Sequence, residues 1–282
     1  MAKETIGRTI AVAAGVCVVC SVFVSTASVA LKERQEINKK LDKRKNILRA
    51  AGVLGEKESV QDLLARRVQE GAVAKDATLD DLFYNEVDEL WVELKTGQFV
   101  SAEKVDSGYQ DERKAAKDPK LRAEIPPGVG TAGFKYKSPY RRIYFTKASA
   151  GERRIILPVH GKGLWSTMYG FIALDAADLN TILSFSFYEH GETPGLGGEV
   201  DAEDWKASWI DKKAFDAPLV DGGNVAIDVV KGKADKDAEH QMDGLSGATL
   251  TANGVEKLVK FWLGDEGYGP LLHRLVAEGG TR

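Results

Sequence analysis

Cysteine is nearly absent from this 282-residue sequence, and both of its cysteines, Cys17 and Cys20, lie in one uncharged segment near the N-terminus. Residues 32–282 therefore offer no disulfide and no cysteine metal ligand. A Cys-x-x-Cys spacing is typical of redox and metal sites. Small apolar residues inside a membrane helix need no such chemistry, and that structural interpretation is the stronger one. A soluble part without cysteine fits an oxidising compartment and many other places.

Neither sign of charge dominates the composition. The sequence has 39 Lys and Arg residues against 42 Asp and Glu residues, which gives a net charge of −3. Nucleic-acid binding usually shows as a strong basic excess, so the composition argues against nucleic acid as a partner. The length allows one large domain or two modest ones with a substantial core.

The motifs of the common catalytic classes are also missing. Four histidines are scattered without the spacing of a metal site, namely His160, His190, His240 and His273. No nucleophile elbow G-x-S-x-G and no phosphate loop G-x-x-x-x-G-K occurs. We therefore predict no metal site and no catalytic residue of the hydrolase, kinase or metalloenzyme type.

One glycine pattern, Gly128–Gly133, has the formal spacing G-x-G-x-x-G. A dinucleotide site of this kind needs a strand before the pattern and a helix after it. Here Pro126 and Pro127 precede the pattern, and Pro139 prevents a following helix. We interpret these residues as an ordinary loop.

Apolar residues are concentrated in one run, residues 9–31, which contains 23 consecutive uncharged residues. A helix of this length spans the hydrocarbon core of a bilayer, roughly 30 Å. A cleaved secretory signal is the alternative, with Lys3 and Arg8 as its basic start and residues 28–30 as its cleavage site. Signal peptides usually have an apolar region of about 7–15 residues, so the length favours a retained transmembrane helix.

Helical and extended patterns follow this run. Apolar residues at helical spacing predict helices over residues 32–51, 59–69, 201–210 and 255–263. Short β-branched or aromatic runs predict strands over residues 87–94, 142–145, 154–159, 169–174, 181–187 and 224–230. Residues 106–139, which are polar and rich in Pro and Gly, are predicted to form a long connection.

These patterns predict an α+β fold class. The intervals between the central strands are too short for helical crossovers, so the sheet should be mainly antiparallel. Helices flank that sheet, and one N-terminal transmembrane helix is added. The predicted organisation is a tail over 1–8, the transmembrane helix over 9–31, a helical connector over 32–70 and a soluble α+β domain over 71–282.

A loop before the last predicted helix carries small and hydroxyl-bearing side chains. Residues 243–254 have the sequence DGLSGATLTANG. A helix N-terminus presents unpaired N–H groups and the positive end of a dipole, which together favour a phosphate. Asn253, with Glu256 three residues on, would cap the helix through a capping box. Capping then does not require Ser246 and Thr249, whose hydroxyls are free for a phosphate or a phosphoester.

Two further glycine-bearing loops, residues 161–167 and 190–198, follow predicted strands. Glycine lets the backbone approach a ligand closely, and Trp165 offers an aromatic face for a planar ring. Ordinary turn formation explains either loop when it is taken alone.

Together, the three loops resemble a known family. Residues 243–251, DGLSGATLT, resemble the motif of FMN-binding domains in which FMN is joined through its phosphate to a threonine hydroxyl. Residues 163–170, GLWSTMYG, and 192–197, ETPGLG, are similar to further motifs of the C subunits of Na+-translocating NADH:quinone oxidoreductases. The G subunits of the related electron-transport complexes are the alternative. One S-G-A-T occurs by chance in on the order of one chain in a hundred, and three ordered motifs are far more specific.

The resemblance implies that Thr249 carries covalent FMN as a phosphoester, within an FMN-binding part that covers about residues 155–265. It implies a set of further cofactor-binding residues. These are Ser246, Gly247 and Ala248 at the phosphate, Trp165, Glu192, Thr193 and Leu196 around the isoalloxazine ring, and Lys231, which falls where the family places a flavin-contacting lysine. A cation near the ring favours its reduced, anionic form.

The resemblance also implies partners and a location. The partners are the other subunits of a sodium-pumping complex, which takes electrons from NADH and passes them to quinone, and a magnesium-dependent flavin transferase that uses FAD. The implied location is the bacterial inner membrane, with a single pass and a periplasmic soluble domain. Seven basic residues follow the apolar run within residues 32–45, against Lys3 and Arg8 before it. The positive-inside rule alone would place the domain in the cytoplasm; here we follow the family.

The resulting hypothesis is a membrane-anchored flavoprotein subunit that relays electrons and catalyses no reaction alone. One apolar helix without an intramembrane charge offers no ion path, so sodium transport would belong to other subunits. The rival hypothesis is a non-redox, membrane-tethered binding or scaffold domain in which S-G-A-T only caps a helix.

Overall fold

The computed structural model describes residues 6–127, 129 and 132–279, and divides into two compact units between Lys43 and Arg44. Helix α1, Ile6–Ala50, begins in the first unit and ends in the second. Within the first unit it is exposed along its length, and its most apolar stretch has a mean hydropathy of 2.3. In the described part of the chain, α1 is the one helix long and apolar enough to cross a membrane.

The second unit contains the remaining helices. They are α2 (Val60–Gln69), α3 (Leu79–Glu86), α4 (Glu112–Ala115), α5 (Glu203–Ala207), α6 (Thr249–Leu263) and α7 (Gly269–Ala277). Side-chain caps mark the starts of α2, α3 and α4, the last through Asp111, which accepts from the N–H groups of Arg113 and Lys114. Ser59 accepts a hydrogen bond from the backbone N–H of Asp62 at the start of α2, and Thr78 forms a capping box with Asp81 at the start of α3.

A six-stranded antiparallel sheet forms the centre of this unit, with the strand order β2-β1-β5-β6-β7-β8. Its strands are β1 (Val87–Glu93), β2 (Gln98–Val100), β5 (Tyr140–Thr146), β6 (Arg154–Lys162), β7 (Thr167–Asp175) and β8 (Ile182–Glu189). Two short pairs lie outside it, β3 (Ala123–Glu124) with β4 (Tyr136–Lys137), and β9 (Asp228–Val229) with β10 (Gln241–Met242). The predicted α+β fold class is confirmed.

The sheet separates two hydrophobic cores, because alternate residues of a strand point to opposite faces. In β6, Ile155 and Leu157 belong to one core and Ile156 belongs to the other. The larger core includes α6 and α7, whereas the smaller one includes α2, α3 and the last turn of α1. Trp262 of α6 is fully buried and donates its indole N–H to the carbonyl of His160, 2.7 Å away. That contact fixes α6 across the end of β6.

Several predicted boundaries are wrong. The last predicted helix begins at Thr249 rather than at residue 255, so Asn253 lies inside α6 and does not cap it. The predicted strand over 224–230 is reduced to β9, whose Asp228 and Val229 pair with β10, and to an isolated bridge between Val225 and Phe215. The predicted helix over 201–210 is shortened to α5. The connection over 106–139 contains α4, β3 and β4, and α3 and α7 had not been predicted. Of the pattern at 128–133, Gly128, Gly130 and Thr131 lie outside the described residues.

Candidate functional site

Three loops meet at a buried carboxylate, that of Glu192, which follows β8 and is only 5 % exposed. The backbone N–H of Leu164 donates to Oε2 at 3.1 Å, and those of Trp165 and Ser166 donate to Oε1 at 3.0 Å each. The Ser166 hydroxyl in turn accepts the N–H of Gly191 at 2.7 Å. The loop after β6 is therefore folded around the side chain of the loop after β8.

The third loop reaches the same carboxylate through Thr251, in the first turn of α6. Its hydroxyl donates to Oε2 of Glu192 at 2.7 Å, and the side chain is 1 % exposed. Among the described residues, no cation forms an ion pair with Glu192. Burial acts to raise the pKa of Glu192, but the hydrogen bonds from Thr251 and from three backbone N–H groups outweigh it, so the net pKa is lowered.

Three glycines permit this close approach. A Cβ on Gly163 would lie 2.5 Å from Oε1 of Glu192, and one on Gly197 would lie 2.7 Å from the Thr251 hydroxyl. A Cβ on Gly254 of α6 would lie 2.3 Å from the carbonyl of Lys162. Side chains at these positions would push the loops apart, so the glycines are needed for packing rather than for turn geometry alone.

The N-terminus of α6 is not capped by a side chain. Ala248 is the N-cap residue, and no side chain bonds to the first turn from that position. Thr249, the first helical residue, is exposed, as are Ser246 and Gly247 before it, whereas Ala248 is buried. Gly247 has a φ of +72°, in the left-handed region that favours glycine. This 15-residue helix therefore presents an exposed hydroxyl beside unpaired N–H groups, an arrangement that suits a phosphate.

Exposed apolar side chains surround these loops. Trp165 is 72 % exposed and Leu250 is 63 % exposed, and Leu164 and Leu196 are about half exposed. Leu196 lies near the third loop, because a Cβ on Gly247 would be 3.1 Å from its Cδ2. These side chains offer an aromatic face and an apolar edge for a planar ring.

Lys231 lies in a segment that runs beside the start of the third loop. The N–H of Val230 donates to the carbonyl of Met242 at 3.1 Å, and that of Gly244 donates to the carbonyl of Gly232 at 2.7 Å. The side chain of Lys231 is exposed. The adjacent turn is held by buried Asp243, which accepts from the Lys233 ammonium at 2.6 Å.

The structure brings most of the predicted site residues to these three loops, and it also shows two residues that the sequence did not single out. Trp165, Glu192, Leu196 and residues 246–249 share the site, and Thr193 lies on the same loop as Glu192, where its carbonyl accepts the N–H of Leu196 at 3.1 Å. Thr251 and Ser166 were missed as site residues. Nothing in their local sequence shows that their hydroxyls meet the Glu192 network.

Comparison with known proteins assigns the region of these three loops to a family. Residues 163–264 match the FMN-binding domain family. Over nearly the whole chain, the sequence is similar to the C subunits of Na+-translocating NADH-quinone reductases from several bacteria. It is 44 % identical to the Pseudomonas aeruginosa protein over 276 residues, with 97 % of each chain covered. It is 38 % identical to the Yersinia pestis protein over 281 residues, with 99 % of this chain and 96 % of that one covered.

Two crystal structures have a similar fold. The structure of Shewanella oneidensis NqrC is 34 % identical, covers 77 % of this chain and 98 % of its own, and has a TM-score of 0.63. The corresponding C subunit from Parabacteroides distasonis is 24 % identical, covers 86 % of this chain and 96 % of its own, and has a TM-score of 0.59, which supports the fold alone.

Proposed function

Since the chain belongs to the family of C subunits of the Na+-translocating NADH-quinone reductases, we propose that it relays electrons through FMN held covalently at Thr249. The coarser part of this function follows from the family: the chain is an FMN-binding flavoprotein subunit of an oxidoreductase complex and works with its other subunits. The phosphoester and the relay are our proposal. The exposed hydroxyl of Thr249 at the uncapped start of α6 is the observation that supports it most strongly.

The three hydroxyls of the third loop are not equivalent. Thr251 is buried and its proton is engaged with Glu192. Thr249 is exposed and lies at the first helical position, where a phosphate joined to it would face the N–H groups of the first turn. Ser246, Gly247 and Ala248 precede it, and Gly247 has no side chain that would crowd the phosphate. We therefore assign the ester to Thr249 and a supporting role to Thr251.

The residues proposed around the isoalloxazine ring divide into two groups. Trp165 and Leu196 are exposed enough to contact the ring directly, and Thr193 belongs to the same loop. The carboxylate of Glu192 already accepts hydrogen bonds from five protein groups. It would therefore act on the ring only indirectly, by holding the loops in place. Lys231 would bring a positive charge that favours the electron-rich form of the ring.

Bound FMN supplies reversible electron transfer, and this chain supplies binding and orientation. A covalent attachment keeps the cofactor in place on an exposed surface while electrons are exchanged with neighbouring subunits. The run over residues 9–31 contains no charged residue, so we assign sodium transport to other subunits. In this proposal α1 anchors the chain in the bacterial inner membrane, the soluble unit is periplasmic, and a separate flavin transferase attaches the FMN.

The mass of the denatured chain tests the attachment. Protein made together with a flavin transferase should exceed the calculated mass by one FMN less one water. Thr249→Ala should lose this increment, whereas Thr249→Ser, which keeps a hydroxyl, should retain part of it. Thr251→Val serves as the matched control and should retain it fully.

The outcome separates the proposal from a non-redox scaffold domain. An unmodified Thr249 in peptide maps of transferase-treated protein, or a modified Thr251, would refute the assignment.

The orientation in the membrane needs a separate test. A single cysteine placed in the soluble unit of a variant without Cys17 and Cys20 should react with a membrane-impermeant thiol reagent in intact cells. Labelling only after the cells are broken would place the unit in the cytoplasm.

A further inference from the structure

A second concave site lies beside the FMN-binding loops, between α4, the β4–β5 region and the adjoining ends of β6 and β7. Its volume is about 220 Å³. We call it the basic cleft, after three of its lining residues, Lys117, Lys135 and Lys162. A cavity of this volume holds several waters and suits a single substituted ring. Lys162 ends β6, immediately before the loop that folds around Glu192.

Aromatic rings form the wall of the basic cleft. The ring of Phe134 stacks on that of His160 at 4.7 Å, and His160 stacks on Tyr169 at 5.4 Å, each pair inclined by 25°. His160 therefore lies between Phe134 and Tyr169, and the guanidinium of Arg113 covers Tyr169 at 3.5 Å from its ring centroid. All three rings are partly buried and line the cleft. Such a wall favours a flat, apolar body.

The charge at the opening is positive. The side chains of Lys117, Lys135 and Lys162 are exposed, and none forms a hydrogen bond or ion pair with a described residue. The deeper charges compensate one another: Arg141, 5 % exposed, pairs with Glu112 at 2.9 Å. In a chain of net charge −3, three uncompensated ammonium groups around one opening would attract an anion.

His160 lies at the back of the cleft. Burial lowers its pKa well below the usual value, and the charges of Arg141 and Arg113 lower it further. The ring is therefore neutral at pH 7 and retains one N–H donor and one acceptor. No described side chain or backbone group hydrogen-bonds to its ring nitrogens, so both are left for an occupant of the cleft.

We propose that the basic cleft binds a small planar organic anion, one ring that carries a carboxylate. The ring would lie against Phe134, the carboxylate would face Lys135 and Lys162, and His160 would bond a polar substituent. The FMN phosphate site uses other residues, so this binding does not depend on the proposed function.

Benzoate is the test ligand, titrated calorimetrically into the full-length, FMN-loaded protein in detergent. It should bind saturably, whereas benzyl alcohol, which lacks the charge, and inorganic phosphate, which lacks the ring, should bind at least tenfold more weakly. Lys135→Gln and Lys162→Gln should each weaken benzoate binding about threefold, as expected for exposed charges. Lys236→Gln, the same change outside the cleft, should leave binding unchanged.

A ring requirement is tested by Phe134→Leu, which should weaken benzoate binding without changing the response to phosphate. The lysine variants keep the test valid if Phe134→Leu does not fold. Absence of saturable benzoate binding, equal binding of phosphate, or an equal effect of Lys236→Gln would each overturn the proposal. Thr249→Ala should bind benzoate normally, so a failure of the FMN attachment is distinguished from a failure of the cleft.

Discussion

The hydrogen bond between Thr251 and Glu192 allows one prediction to be worked out in detail. Thr251→Val keeps the size and branching of the side chain and removes only the hydroxyl that donates to Oε2 of Glu192 at 2.7 Å. Oε2 would then retain the N–H of Leu164 at 3.1 Å as its donor. The change isolates one hydrogen bond in a buried network.

The expected magnitude follows from the burial and the charge of the acceptor. A hydrogen bond to a charged group contributes about 1.5–3 kcal/mol, and both partners are at most 5 % exposed. We therefore expect Thr251→Val to lower the free energy of unfolding by about 2 kcal/mol. For a unit of this size, that corresponds to a fall in Tm of about 4–8 °C.

The assay is chemical unfolding of the full-length protein in detergent, followed by tryptophan fluorescence. Thr251→Ser restores the hydroxyl and should recover most of the lost stability. FMN content should be unchanged in both variants, because Thr249 is untouched. A loss of less than about 0.5 kcal/mol in Thr251→Val, well below the range for a bond to a charged group, or equal losses in the valine and serine variants, would refute the role that we assign to this bond.

Three further predictions concern the same loops. Because the folded-state pKa of Glu192 lies below its ordinary value, its hydrogen bonds stabilise the fold above pH 4.5 and are lost as the pH falls through the lowered pKa. The stability difference between native protein and Glu192→Gln should therefore shrink when unfolding is measured at acid pH. A constant difference from neutral pH to about pH 3 would contradict this. Gly197→Ala should cost about 1–3 kcal/mol through overpacking against Thr251, whereas Gly191→Ala, whose Cβ would meet nothing closer than 3.4 Å, should cost less in the same denaturation assay. Trp165→Ala should change stability by less than about 0.5 kcal/mol, because the side chain is 72 % exposed, yet shift the visible absorption of bound FMN; an unchanged spectrum would argue against ring contact.

The local patterns that predicted the sheet succeeded because each depends on near neighbours. In β6, Ile155, Ile156 and Leu157 are β-branched or apolar, lie between turn residues and are buried on both faces of the sheet. The same reasoning failed for residues 224–230, which have a similar composition. There the outcome depended on whether a partner strand was available, and the segment finds only the two residues of β10 and an isolated bridge to Phe215.

The start of α6 could not be predicted from capping rules. Ser246, Thr249, Thr251 and Asn253 are all side chains that favour the start of a helix, so the local sequence offers several starts. The structure selects Ala248 as the N-cap, with no side-chain cap at all. The choice is made by tertiary contacts, since Thr251 is drawn to Glu192 and Gly254 lies against Lys162.

The sequence by itself determined the apolar N-terminal helix, the antiparallel strands and the three loops whose motifs resemble those of the FMN-binding family, because these features depend on residues close together in the chain. Only the tertiary structure decided that Thr249 is exposed while Thr251 is buried, and that Glu192 holds the loops together. Those outcomes depend on contacts between residues as far apart as 192 and 251, whose hydrogen bond forms only when α6 packs across the end of β6.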